Sequence, residues 1–259
     1  MVVGLDAFKQ YFGAYTAHYI IIGGTACDLI IGEAGFRPRA TKDMDIILVV
    51  EALDAAFVKQ FWLFIKDGNY EHKEKSDDKR QYYRFTKPEN HSFPYQIELF
   101  ARKPDILQFD EHAHLTPIPV DDGLSSLSAI LLNDDYYNYI LKESVVLNDI
   151  KHAQSHALIC LKAKAYIEIA ERINNGSNED KKHLNKHKGD MFRLMTLMLP
   201  DDVYELPESI KADMQFFVVS IVHQLPGKEI FIEMGLRNIS SEDIYNQLIK
   251  SFKLIKKTW

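Results

Sequence analysis

The chain has 259 residues, 46% of them hydrophobic and 26% charged, enough apolar material to bury the core of one large domain or two modest ones. Its formal net charge of −6 excludes a protein that coats nucleic acid by bulk charge, while leaving room for a local basic patch. Cys27 and Cys160 lie far apart in apolar stretches, no apolar run approaches the ~20 residues of a membrane span, and no secretory signal pattern opens the chain, so a cytoplasmic protein with no membrane partner is expected.

In chain order, Leu5, Phe8, Tyr11, Phe12 and Tyr15 recur at helical spacing. The short β-rich run Tyr19-Ile20-Ile21-Ile22 then predicts a buried strand closed by Gly23-Gly24, and Thr25 to Ile31 a helix. Gly32, Gly35 and Pro38 mark a loop, after which Met44 to Val50 reads as a second buried strand. An amphipathic helix is expected over 53–66, with Phe57, Phe61 and Phe64 on one side. The charged stretch 71–80 reads as a hairpin loop, with strands near 80–87 and 94–101. Pro94, Pro104, Pro117, Pro119 and Asp122-Gly123 punctuate the chain and place a boundary near 120. Beyond it helical periodicity dominates, with helices expected at 152–173, 186–199, 207–224 and 241–256. The expected architecture is α+β: a mixed sheet with flanking helices in residues 1–120 and a helical domain in residues 121–259.

Chemistry concentrates in three places. Asp43 and Asp45 sit two apart at the start of an apolar strand, so both project from one face and repel each other unless a cation intervenes. Glu98 lies in the alternating segment Gln96-Ile97-Glu98-Leu99-Phe100, which could add a third carboxylate from an adjacent strand. Hard oxygen ligands of this kind suit Mg²⁺, and two such ions can clamp the attacking and leaving oxygens of an in-line displacement. Gly23 and Gly24 offer a backbone unobstructed by side chains at a helix N-terminus, where free N–H groups favour phosphate, and the Thr25 hydroxyl could add a donor. Arg37, Arg39 and Lys42 stand just before the acidic strand, where they could offset phosphate charge. Singly, each element has an ordinary structural explanation: a turn, a solvated Asp pair, a surface Glu. Their order along one chain is what points to phosphoryl transfer, a chemistry that needs positioning and charge neutralisation more than covalent help.

Gly23-Gly24-Thr25-Ala26 followed by Arg39-Ala40-Thr41-Lys42-Asp43-Met44-Asp45-Ile46 resembles the core of the DNA polymerase β-like nucleotidyltransferase superfamily, in particular its AbiEii/AbiGii toxin-type group. The likeness covers residues 19–50 and extends to Glu98. It implies that Asp43, Asp45 and Glu98 are catalytic and hold Mg²⁺, with two ions expected. It implies that Gly23, Gly24, Thr25, Arg39 and Thr41 bind the NTP. Such members also carry a lysine-bearing helix and then an Arg-Asp-x-x-Asp motif. Lys162 matches the first, and Lys188 and Asp190 within Lys186-His187-Lys188-Gly189-Asp190 match the second, with His187 where the family has its first Asp. Residues 151–190 hold eight Lys/Arg against five Asp/Glu, plus four His, a basic stretch that suits an NTP or an RNA acceptor. The same lysines would equally serve as solvated helix residues.

The resemblance implies transfer of a nucleotide from an NTP to a hydroxyl acceptor such as tRNA or another nucleic acid, by a toxin with a cognate antitoxin protein. Two alternatives stay open: a small-molecule nucleotidyltransferase of the antibiotic-modifying kind, and a catalytically silent nucleotide-binding regulator. His112-Ala113-His114 lacks companions at zinc-site spacing, and the tyrosines at 82, 83, 136, 137 and 139 read as core or rim.

Overall fold

The computed structural model describes residues 3–39, 41–72, 82–100 and 133–256. Of the loop expected over 71–80, Glu71–His72 form a strand and the rest lies outside the described residues, as do Pro104, Pro117, Pro119, Asp122-Gly123, the boundary near 120 and His112-Ala113-His114. The chain divides into two compact units. One comprises Met1–Leu29, Ala40–Asp121 and Leu141–Ala153; the other comprises Ile30–Arg39, Asp122–Ile140 and Gln154–Trp259. Besides the change at Asp121–Asp122, the chain crosses between the units at Ile30–Arg39 and at Leu141–Ala153, where residues 144–153 belong to the sheet of the first.

In the first unit, helix α1 (Leu5–Phe12) leads through a 3-10 turn into strand β1 (Tyr19–Ile22), and helix α2 (Gly23–Glu33) follows without a break. Strand β2 (Asp43–Leu48), helix α3 (Ala55–Gly68), and strands β3 (Glu71–His72), β4 (Tyr82–Thr86), β5 (Gln96–Phe100), β6 (Ser144–Leu147) and β7 (Ile150–Ala153) complete it. They form one mixed sheet in the order β3-β4-β5-β2-β1-β7-β6. All four residues of β1 are buried, as befits a central strand covered on both faces.

Helix α3 begins where the Asp54 carboxylate accepts a hydrogen bond from the Phe57 backbone N–H at 2.8 Å, and it ends at Asn69, whose left-handed backbone (φ 48°) is the usual helix stop. Its apolar stripe, Phe57, Phe61 and Phe64, meets Phe8 and Phe12 of α1. Ring centroids lie 5.2 Å apart for Phe12–Phe64 and 4.8 Å for Phe64–Phe93, in tilted and edge-on geometries. This aromatic layer supports the sheet from the side opposite the acidic residues.

The β6–β7 hairpin falls within residues 121–259, where a helical domain was expected. Asn148 and Asp149, with φ of 50° and 61°, form its two-residue turn, the conformation that primed turns require and that Asn and Asp tolerate. Val145-Val146-Leu147 before them and Ile150 after them are too short a run for period to separate strand from helix.

The second unit is helical among its described residues. Helices Asp134–Lys142, Ser155–Asn174, Lys182–Met195, Glu208–Ile221, Glu229–Met234 and Ser241–Ser251 compose it. The first and fifth were not anticipated, being short. Helix Ser155–Asn174 is buried along most of its length and packs on Lys182–Met195 and Glu208–Ile221. Asp213 accepts from the Tyr136 hydroxyl at 2.9 Å and from the Lys164 ammonium at 3.1 Å, joining three helices through one carboxylate. Among the described residues, no helix is long and apolar enough to cross a membrane.

Phe64 is fully buried at the centre of the aromatic layer. Phe64→Ala should lower the unfolding free energy by about 3–5 kcal/mol, read as a shift in the urea midpoint at constant slope.

Candidate functional site

Strand register assembles the site. Alternation puts the Asp43 and Asp45 side chains on one face of β2, and the parallel pairing of β2 with β5 sets Asp43 opposite Gln96 and Asp45 opposite Glu98. Antiparallel pairing of β4 with β5 then sets Arg84 opposite Glu98. On the other side, β1 places Ile22 opposite Asp45, so Gly23 leaves β1 at the same level of the sheet. The result is a row of charge across three strands: Asp45, Glu98, Arg84.

The double glycine is required by this row. Gly23 has φ +66°, and a Cβ built there would stand 1.7 Å from Asp45 Oδ2. A Cβ on Gly24 would meet Thr41 Oγ1 at 2.7 Å. The space expected to clear a triphosphate is therefore filled in part by the chain's own Asp45 and Thr41 side chains. Thr25 also departs from its expected role as a phosphate donor: it is fully buried, and its hydroxyl donates to the Asp43 carbonyl at 2.7 Å, pinning the first turn of α2 to the start of β2.

Glu98 is only 3% exposed. Burial pushes its pKa up to about 8; Asp45 and then Asp43 push the same way, while Arg84 opposes them. Its Oε1 accepts from Gln96 Nε2 at 2.5 Å and lies 3.2 Å from Arg84 Nε. At Nε this contact is a charge pairing, since Nε and Nη2 of Arg84 are buried with no hydrogen bond. Among the described residues no three His, Cys, Asp or Glu side chains converge as metal ligands would. The expected set of Asp43, Asp45 and Glu98 is thus an alignment on one face rather than a closed cage, with the Glu98 carboxylate held by Gln96 and Arg84. Its donor chemistry still fits a hard cation: the neighbouring acids raise the pKa of Glu98, and a divalent ion removes that repulsion.

The remaining expected residues lie in the helical unit. Lys162 Nζ donates to Asp190 Oδ2 at 2.8 Å, Arg193 Nη1 to Asp190 Oδ1 at 3.3 Å, and Arg39 Nε stands 3.5 Å from the same oxygen. Arg193 also reaches Glu233 at 2.8 Å. Burial alone would raise the Asp190 pKa, but Lys162, Arg39 and Arg193 outweigh it and hold the carboxyl down at about 2. Lys188, expected to meet an NTP, donates instead to the Gln224 carbonyl just past the C-terminus of helix Glu208–Ile221, where a cation suits the helix dipole. Burial, with Lys162 and Lys186 nearby, lowers the His187 pKa to about 3, so the imidazole is neutral.

Four contributors escaped sequence reasoning: Arg84, Gln96, Arg193 and Glu233. Arg193 was findable, three residues after Asp190 on one helix face. Arg84 was not, because its role depends on which strands pair.

Compared with known proteins, no family model matches the chain and no curated protein matches it.

Two consequences are measurable. Gly23→Ala combines a left-handed backbone with a Cβ inside the Asp45 carboxylate, so it should destabilise the fold by at least about 1 kcal/mol and shift the NMR signals of Asp45 and Glu98. Gly32→Ala, where a Cβ meets open space, should leave those signals in place. For Asp190, the depressed pKa means its stabilising contribution is complete above the ordinary carboxylate range and disappears as pH falls through about 2. Asp190→Asn should cost roughly 3–5 kcal/mol at pH 7 by leaving buried cations uncompensated, and the gap to the parent should narrow between pH 4 and pH 2 in acid denaturation curves.

Proposed function

We propose that the chain is a Mg²⁺-dependent nucleotidyltransferase of the DNA polymerase β-like, AbiEii/AbiGii toxin type, acting in the cytoplasm. The observation that carries this reading is the register pairing of Asp45 with Glu98 on adjacent parallel strands, with Asp43 two residues back on the same face. Asp43, Asp45 and Glu98 would hold Mg²⁺, whose positive charge neutralises NTP phosphates and stabilises the transition state. In the reaction the acceptor hydroxyl oxygen bonds to the α-phosphorus, the bond to pyrophosphate breaks, and the hydroxyl proton is released.

The chain's own groups prepare that step. Thr25 fixes the start of α2 against β2, so the N–H groups of the first helical turn keep a constant position beside the acids. Gly23 and Gly24 allow Asp45 and Thr41 to sit against that turn. Gln96 and Arg84 hold Glu98 in place, and Arg84 offsets charge until a cation does so. In the helical unit Lys162 is paired with Asp190 and Lys188 donates to the Gln224 carbonyl. The acceptor is a nucleic acid such as tRNA, and an antitoxin protein is the expected partner.

Arg84 favours a second reading, a nucleotide-binding regulator without turnover, because a cation already faces Glu98. One assay separates the two. Incubated with Mg²⁺, labelled NTPs and total tRNA, the protein should label RNA, and Asp43→Asn and Asp45→Asn should each lose at least about a hundredfold, the loss of several kcal/mol of charge stabilisation. Mg²⁺-dependent nucleotide binding without transfer would identify the regulator. Thermal stability indifferent to both Mg²⁺ and NTP would remove both readings.

A further inference from the structure

Behind the acidic face, at the end of the sheet where β2 and β5 begin, Val3, Lys42, Pro88, His91, Phe93 and Tyr95 line an open cavity of about 220 Å³. Asp43 pairs with Gln96, so Lys42 and Tyr95 are the residues immediately before that pair on neighbouring strands. Alternation turns them to the face opposite Asp43 and Glu98.

The walls are fixed. Phe93 and Pro88 are buried, the Tyr70 hydroxyl donates to the Pro94 carbonyl at 2.6 Å, and the Lys87 N–H donates to the Tyr95 carbonyl at 3.0 Å. The Glu89 and Asn90 N–H groups bond the Asn69 and Gly68 carbonyls, tying the 87–95 loop to the end of α3. Gly4 lies so close to Pro94 that a Cβ there would overlap its ring. Against this frame Tyr95 is 49% exposed, a large ring held at a cavity mouth with nothing of its own unit covering it fully. Among the described residues the lining carries two basic side chains, Lys42 and His91, and no acid.

We propose that this cavity binds one nucleotide unit of a single-stranded nucleic acid, its base against Tyr95 and its phosphodiester at Lys42. An aromatic face beside a cation is the minimal platform for an unpaired base and the phosphate next to it, and it tolerates any base because each has a π-face. Charge selects strand over free nucleotide: one ammonium matches the single charge of a phosphodiester and falls well short of a triphosphate. The inference rests on the nucleotidyltransferase reading only in naming a nucleic acid as the acceptor; the cavity itself does not involve the carboxylates.

The test is anisotropy of a fluorescein-labelled eight-nucleotide RNA of mixed sequence, titrated with the full chain in EDTA without NTP. Tyr95→Ala should weaken binding about tenfold, the size of one lost base stack. Lys42→Gln should weaken it and reduce the slope of log affinity against log salt by about 0.7, the value for one phosphate of a single strand. Both side chains are exposed, so circular dichroism should match the parent. Parent-like affinity in Tyr95→Ala, an unchanged salt slope in Lys42→Gln, equal competition by duplex RNA, or equal competition by AMP would each overturn the proposal. Asp45→Asn, run in parallel, separates the two readings. RNA binding that survives while the parent shows no transfer would sink the enzyme reading alone, and transfer in the parent with Tyr95→Ala binding unchanged would sink the cavity alone.

Discussion

Crowding of carboxylates in one row of the sheet is the constraint around which the first unit is arranged. Two parallel strands about 4.8 Å apart bring Asp45 and Glu98 side by side, and Asp43 follows two residues away on the same face. In a buried setting that arrangement is costly, as the upward shift of Glu98 to about 8 expresses. The surrounding residues answer this cost. Arg84 supplies a positive charge from β4, Gln96 a hydrogen-bond donor from the same strand, and Gly23 yields the room Asp45 occupies. A fold under pressure only for stability would put apolar residues in this row, since apolar replacement of buried charge is often neutral or favourable. A buried acid kept beside two aspartates, at the cost of a pKa raised to about 8, is the physical argument for a site.

The helical unit makes the opposite use of charge. Asp190 is surrounded by Lys162, Arg193 and Arg39, so its carboxyl is held ionised and the cations are matched. In the sheet like charges are aligned; in the helices unlike charges are closed on each other. The difference explains why lysines that looked equivalent from sequence are not equivalent in the structure. Lys162 and Lys188 are tied to a carboxylate and a carbonyl beyond a helix end, whereas Lys42 stands exposed at a cavity rim.

What the sequence made legible follows the range of the forces involved. Strand β1, helix α3 and the long helix Ser155–Asn174 were readable because burial on one side or all round imposes a local period. Asp43 and Asp45 were readable as a same-face pair for the same reason. The hairpin at 144–153 was missed although Asn148-Asp149 is a turn signal, because runs of four residues are too short to show a period. Arg84 was missed because its partner is set by strand order, a property of the whole sheet and not of any segment. Thr25 was misread for a related cause: a hydroxyl at a helix start suits either a ligand or the backbone, and only the distance to the Asp43 carbonyl decides.

The glycine pair shows how a motif can be right in position and different in physical reason. Read as sequence, Gly23-Gly24 leaves open space for an incoming phosphate. In the structure the space of the missing side chains is taken by Asp45 and Thr41, so the glycines act first on the chain's own side chains. This makes the start of α2, the Asp45 carboxylate and Thr41 one mechanical unit, with Thr25 as its fastening to β2. Any displacement of that turn moves a carboxylate. On the proposed reading the reaction is phosphoryl transfer, which depends on close positioning, so a group with no reactive atom would govern it by setting where Asp45 stands.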